Sequence, residues 1–459
     1  MNFQHPAAWV LPLLFFAGCA TSPTDFSAVK LPASWQQAGN FPTASPDRDL
    51  SQWWASFGDA EMGRLIRSAL ENSPDIASAV ANVRQAQALR KAETSFLFPE
   101  LNYSGSGSTA NTWQKNGADF SSENYSGGLS ASWEVDFFGK NRQSVIAASA
   151  DADAAEANLD SARSSLAAET ALAYLQLRAS ESSLQLVNQS IASQEETTQL
   201  AKWRNQAGEI DQLEYDQARA TLESARATIS TLQQNIGQTR NRLNLLAGRV
   251  PGELAITASY HLPQPQSRLA IGIPADTVRQ RPDVRSAGYG WLAAIARTRS
   301  AEAEKFPSFT LSGNLGTDSL SSSKVFNPQN VSSNLIAGLT GPIFNAGRIR
   351  AQIEGQDAAE ERAFQNYRAS ILTALSEVED ALIACRRTSE KIGTLEKAAT
   401  AARSAADLAA KKYTAGVIDI TPVLDTQRND LAIRQNLITA RLDRANAHIE
   451  LYRALGGGW

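Results

Sequence analysis

The sequence predicts an α+β membrane protein in which very long helices alternate with short strands, and three observations carry that prediction. Punctuating residues recur at one fixed offset along the 459 residues, uninterrupted helical stretches run for about 69 residues, and period-two alternation fills the gaps between helices. Composition narrows the setting. Net charge is -4, mean hydropathy is -0.28, and there are three histidines and two cysteines. A nucleic-acid footprint and a histidine-rich metal site both lack material. After the first twenty residues no apolar run approaches the ~20 residues of a spanning helix, so any membrane crossing falls to strands.

Residues 11–22 read "LPLLFFAGCATS", an apolar block of secretory length followed by small residues and Cys19. The stretch resembles a bacterial lipoprotein lipobox, with Phe16 where leucine is usual and no Lys or Arg before the block. That resemblance implies a covalent lipid on Cys19. An ordinary signal peptide or an uncleaved anchor is the other reading. If Cys19 is acylated, Cys385 has no partner and a disulfide framework is excluded.

Beyond it, landmarks come in pairs. "SPDIASA" at Pro74 is answered by "RPDVRSA" at Pro282, Phe98-Pro99 by Phe306-Pro307, and Gly139 by Gly347. Ala207-Gly208 is answered by Ala415-Gly416 and Gly248 by Gly456, with every pair 208 residues apart. One structural unit is expected to be used twice. Within it, Ser73-Pro74-Asp75 supplies a serine N-cap, a proline at the first helical position and an acid in the first turn. From Gly139 to Gly208 is 69 residues, about 100 Å as helix. Gly208 to Gly248 spans 40 residues and Pro74 to Pro99 spans 25, so two shorter helices end to end match the long one.

Two seams of small residues mark the long limb. Ala148, Ala152, Ala155, Leu159, Ala162 and Leu166 form one; Ala154, Ala157, Ser161, Ser164, Ala168, Ala171 and Leu175 form the other, roughly 100° away. Two seams mean two neighbours, as for a stave in a curved wall. In the second half Tyr367, Ile371, Ala374, Val378, Ala381 and Cys385 keep the same spacing, which makes Cys385 a core thiol.

Strands are expected between the helices. In "YSGGLSASWEVDFF", Tyr125, Leu129, Ala131, Trp133, Val135 and Phe137 share one face, and serines and acids share the other. "LNYSGSGST", "FTLSGNLGT" and "NLIAGLTGPIF" repeat this more weakly. They give two hairpins whose polar links run over 111–123 and 318–333. Four strands cannot close a barrel in lipid, so several chains must pool theirs. A soluble four-stranded sheet capping a helical rod is the alternative.

The assembled residues resemble the TolC-like outer-membrane efflux channel family, in its lipoprotein branch. The marks are "QWWASFGDAEMGRLIRSALENSPDI", "RQRPDVRSA", "FPSFTLSGNLG", "GLTGPIFNAGRIR" and "YTAGVIDITPVLDTQRNDL". Gly288 stands where glutamate is usual, and the first-half tip is a loose version of its motif. The resemblance implies a homotrimer in which each protomer gives four strands to a 12-stranded transmembrane β-barrel and helices to a long periplasmic tunnel. A mixed α/β equatorial belt would surround the tunnel. The expected divisions are 1–18 signal peptide, 19–57 lipidated segment and belt, 58–250 first repeat with hairpin 101–137, 251–275 connector, and 276–459 second repeat with hairpin 309–344.

In the family the loops at Ala207, Gly208, Ala415, Gly416 and Val417 are periplasmic tips docked by an adaptor that joins the channel to an inner-membrane pump. A plain helix C-cap reads those glycines equally well. Asp425 is expected in the gate ring. A second ring aspartate of some members is Pro422 here, and Asp419, read as an acid in the first turn of a helix, is the candidate substitute. Only His261 and His448 remain beyond the signal segment, and "GSGST" lacks the lysine of a phosphate loop. No enzyme activity, metal or cofactor beyond the Cys19 lipid is expected. The function implied is a passive exit duct for drugs or other small molecules in the bacterial outer membrane. Polypeptide secretion and a non-conducting structural lipoprotein are the alternatives.

Overall fold

The structure, a computed structural model, describes residues 31–37, 52–113, 115, 120–265, 274–325 and 327–457, all within the unit Leu31–Trp459. A 3₁₀ turn at Trp53–Phe57 leads into α1 (Ala60–Asn72) and α2 (Pro74–Ser95). Then come β1 (Glu100–Thr112), β2 (Phe120–Val135), α3 (Lys140–Gln206) and α4 (Gln212–Leu246). The second half repeats that order with α5 (Pro274–Gln280), α6 (Pro282–Ala303), β3 (Ser308–Ser319), β4 (Val331–Thr340), α7 (Arg348–Thr414) and α8 (Ile420–Ala454). Both long helices, α3 and α7, have 67 residues, about 100 Å each.

Capping explains the boundaries. Ser73 accepts a bond from the Asp75 amide and Pro74 opens α2, as its sequence requires. The second copy has Arg281 in place of the serine and no side-chain cap. The Arg281 guanidinium instead donates to Asp283, to Glu377 and to the Ala454 carbonyl at 3.0 Å. That last contact ties the start of α6 to the end of α8. The first copy makes the same joint through Gly248 (φ +65), where a Cβ would lie 2.3 Å from the Asn72 carbonyl oxygen. Thus α4 stacks on α2 and α8 on α6, the end-to-end arrangement that the residue spacings predict.

The helices form a row. α3 packs against α2 and α6 near the sheet and against α4 and α8 farther away, while α7 packs on α6 and α8. The stacked pair α2/α4, then α3, then the pair α6/α8, then α7 therefore stand side by side. Both small-residue seams of α3 meet neighbours, and Ala157, Ser164, Ala168, Ala171 and Leu175 are buried. The second-half seam from Tyr367 to Cys385 is buried throughout. Burial alone pushes the Cys385 thiol up to about 12, consistent with an inert core thiol.

The main core lies midway along this row. Trp35, Trp53, Trp54, Phe57, Met62, Leu65 and Ile66 close over Tyr174, Leu175, Val378, Leu382, Ile449 and Tyr452. Trp53 stacks on Tyr452 at 5.5 Å. Each such fully buried large side chain contributes about 1.5–3 kcal/mol. Below it, Glu181 accepts from Arg178 (2.7 Å), Arg240 (3.0 Å) and the Ser259 amide (3.1 Å), fastening the 257–259 segment onto α3 and α4. The expected belt was to be mixed α/β. Residues 25–30, 38–51 and 266–273 of that belt lie outside the described residues, and the described ones are helical or irregular and held to the helices by side chains.

The sheet is antiparallel in the order β1-β2-β3-β4. Its strands run further into the links than the alternation implies, through Thr112 and Ser319, and β2 begins at Phe120. Ladder bonds are made by backbone, so polar residues extend them without an apolar signal. Cys19 lies outside the described residues.

Candidate functional site

Register places side chains of opposite character on opposite faces of the sheet. Leu101 and Tyr103 lie opposite Ala131 and Leu129. Leu129, Trp133 and Val135 lie opposite Leu315, Leu311 and Phe309. Phe309, Leu311 and Gly313 lie opposite Leu339, Ala337 and Leu335. The other face carries Asn102, Ser104, Ser106, Ser126, Ser130, Ser132, Glu134, Thr310, Ser312, Asn314, Ser332 and Asn334, with Ala110, Phe120 and Ile336 as apolar exceptions. Ser106 and Ser126 hydroxyls bond across it at 2.8 Å. A sheet with one apolar and one polar face suits a boundary between hydrocarbon and water.

Its dimensions fit the same boundary. The 13 residues of β1 extend about 43 Å, or about 30 Å along a normal tilted by 45°. Exposed aromatic and aliphatic residues crowd the helical end, at Phe96, Phe98, Phe137, Phe138, Phe306, Ile343 and Phe344. Phe138 stacks on Phe306 at 4.8 Å. At the loop end Trp113, Phe120 and Leu320 are exposed. Among the described residues β1 pairs only with β2 and β4 only with β3, so both edges of the sheet stay open.

At the far end of the helices lie two hairpin tips. α3 ends at Gln206 and turns through Gly208 at φ +75; α7 ends at Thr414 and turns through Gly416 at φ +73. Ala207, Gly208, Ala415, Gly416 and Val417 are all exposed. Under them Ala201, Ala218, Ala409, Tyr413, Ile420, Val423 and Leu424 form a small core. Arg204 joins the two tips. Its guanidinium donates to the Tyr413 carbonyl at 2.9 Å and the Thr414 carbonyl at 3.4 Å, and lies 4.5 Å from the centre of the Tyr413 ring. A cation there favours the negative end of the α7 dipole and adds to the bond that the Gly416 amide gives the Tyr413 carbonyl at 2.9 Å.

The acids of the tips converge too. Asp211 caps α4 by accepting from the Glu214 amide. Burial first, then Asp211 and Asp419, push the Glu214 carboxyl above its usual range. Asp419 is the N-cap of α8, its side chain making no capping bond, rather than an acid within the first turn. The helix starts one residue later than the motif suggests. Asp425, six residues on and about 9 Å along the axis, is exposed and pairs with Arg428. Sequence reasoning missed Arg204 and Tyr413, which meet across the two tips, and Glu214, which faces Asp211 on its own tip and Asp419 on the other. The matching Gly208 and Gly416 offsets were the only available sign that the tips adjoin.

Among the described residues no group of histidine, cysteine, aspartate and glutamate can hold a metal ion, and no helix is long and apolar enough to cross a membrane. The profile of the outer membrane efflux protein family matches twice, over residues 65–249 and 273–457. The pyoverdine export outer membrane protein OpmQ of Pseudomonas putida is 31% identical over 98% of this chain and 97% of its own. The toluene efflux pump outer membrane protein TtgF of the same species is 32% identical over 96% and 95%. Among solved structures, the outer-membrane channel OprN superposes with a TM-score of 0.89 at 30% identity, covering 96% of this chain and all of that one.

Proposed function

Because the chain belongs to the outer membrane efflux protein family, we propose that three copies form a passive exit duct of a tripartite exporter. The observation that carries this reading is the sheet: apolar on one face, polar on the other, open at both edges. Open edges are not tolerated in lipid. Joining β4 of one copy to β1 of the next continues the antiparallel order, and three copies give a 12-stranded barrel. The row of helices continues each strand in the same lateral order, so closing the sheet also closes the row into a tunnel.

The elements recur at the 208-residue offset because one unit is duplicated, with the repeats at 58–250 and 276–459 and the connector at 251–275. Residues 1–18 are removed as a signal peptide, and Cys19 carries a lipid that anchors the 19–57 segment at the outer membrane. The exposed tips at Ala207, Gly208, Ala415, Gly416 and Val417 dock a periplasmic adaptor, which couples the duct to an inner-membrane pump. Asp425 from three copies forms a ring of carboxylates at the narrow end, with Asp419 nearby, and mutual repulsion and cation attraction set the gate. Arg204 on the Tyr413 and Thr414 carbonyls links the tips within a copy.

OpmQ is named for pyoverdine and TtgF for toluene. One fold serving cargoes so unlike in size and polarity supports a duct whose substrate choice lies with its pump. The test is a planar bilayer containing the purified full-length protein, together with deletion of its gene in a strain lacking redundant channels. The duct reading expects unitary conductance and raised sensitivity to toxic compounds. A stable complex that never conducts would make the protein a structural lipoprotein.

A further inference from the structure

A cavity of about 940 Å³ lies between α3, α7 and α8 under the 260–264 segment. It is lined within one copy by the row's second, third and fourth members, α3, α8 and α7. Four arginines line it: Arg403 from α7, and Arg434, Arg441 and Arg444 from α8. In a chain of net charge -4, this concentration of guanidinium groups on one groove is the reverse of the average surface.

Carboxylates compensate these groups only in part. Glu396 takes Arg441 at 3.0 Å. Asp407 takes Arg403 at 3.3 Å, and Asp430 is shared between Arg403 and Arg434 at the long distances of 3.7 and 3.6 Å. Arg444 makes no ion pair among the described residues. Its Nε and Nη2 both point at the neutral Gln264 Oε1, at 2.9 and 2.6 Å, and Gln264 in turn donates to the Arg441 carbonyl. The segment that roofs the groove thereby holds one guanidinium without neutralising it. Burial first, then the neighbouring Arg441, lower the Arg444 pKa, and Glu396 opposes them.

Helical geometry sets the direction of the groove. At 100° per residue, Arg434, Arg441 and Arg444 lie about 180°, 160° and 100° around α8 from Asp425. The groove therefore opens away from the face that would carry the gate ring.

We infer that this groove is a binding site for a small molecule bearing two or more carboxylate or phosphate groups. Guanidinium forks match both groups bidentately, and the volume lies within the range of ligand pockets, about 300–1,000 Å³. The site is independent of the duct reading, since it needs only one copy of the chain.

Isothermal titration of the full-length protein in detergent at about 150 mM salt, where loose surface attraction is screened, tests the inference. The probes are citrate for carboxylates and inorganic tripolyphosphate for phosphates. At least one should bind saturably at one site per chain, and which one does identifies the preferred oxyanion. The variant Arg434→Gln/Arg444→Gln should weaken that probe by at least about tenfold. Arg350→Gln, on an exposed stretch of α7, should leave it unchanged. Should the double variant unfold, Arg403→Gln carries the test, because its side chain is more than half exposed and its loss leaves packing intact. No saturable binding of either probe, or equal affinity in the wild type and the groove variants, would overturn the assignment. Equal weakening by Arg350→Gln would do the same.

Discussion

Substituting alanine at Gly248 and at Gly208 separates a conformational cost from a packing cost, because both residues adopt left-handed φ values of +65 and +75 but in different surroundings. A left-handed conformation costs an L-residue about 1–2 kcal/mol. At Gly208 nothing lies within 4 Å of the added Cβ, so that cost is the whole effect. At Gly248 the Cβ would stand 2.3 Å from the Asn72 oxygen and 3.1 Å from Pro74 Cδ. The start of α2 must withdraw, and forced overpacking adds about 1–3 kcal/mol. Gly456→Ala, with Arg281 atoms at 3.2–3.3 Å, falls between the two. The assay is loss of helical circular dichroism on heating in detergent, at a single scan rate because such unfolding is kinetically controlled. The expected loss of thermal stability ranks Gly248→Ala above Gly456→Ala above Gly208→Ala. A loss at Gly208→Ala equal to that at Gly248→Ala would refute the end-to-end joint between α4 and α2.

Three further outcomes are expected. Asp425→Ala should raise single-channel conductance in a planar bilayer, since it removes a charge from the proposed carboxylate ring; unchanged conductance would move the gate elsewhere. Glu181→Gln leaves the Arg178 guanidinium, 2% exposed, facing a neutral amide, and should cost about 3–5 kcal/mol, read as a lowered melting temperature; a shift within error of wild type would show that the buried pair contributes little. Burial, then Arg444, lower the His448 pKa from 6.5 to about 4, so the unfolded chain takes up its proton first as pH falls. Stability from this group is intact above pH 6.5 and declines by about 3 kcal/mol towards pH 4. His448→Gln should flatten that decline in melting temperature, and an unaltered slope would contradict it.

The legible parts of the fold were those written in local backbone chemistry. Gly139, Gly208, Gly248 and their counterparts mark helix ends because those ends need positive φ, and all six glycines have it. Tyr367 through Cys385 announced a buried stripe because helical spacing alone aligns them. Alternation in Tyr125–Val135 gave the strands and their apolar face. What stayed hidden depends on chain segments far apart in sequence. Arg204 reaches the carbonyls of Tyr413 and Thr414 from about two hundred residues away. Glu181 gathers Arg240 and the Ser259 amide from two different segments, and the arginines of the α7/α8 groove are unremarkable helix-surface residues until the roof at 260–264 is added. Sequence spacing says nothing of such meetings. Asp419 shows the opposite error, since a motif placed it inside a helix whose backbone begins at Ile420.

The claim on which the duct depends is that several copies pool their strands. The native mass of the complex, extracted from outer membranes in mild detergent, tests it most directly. Three chain masses are predicted, giving a closed barrel with no free edge. A complex of one chain mass would leave β1 and β4 unpaired in lipid and would contradict the duct.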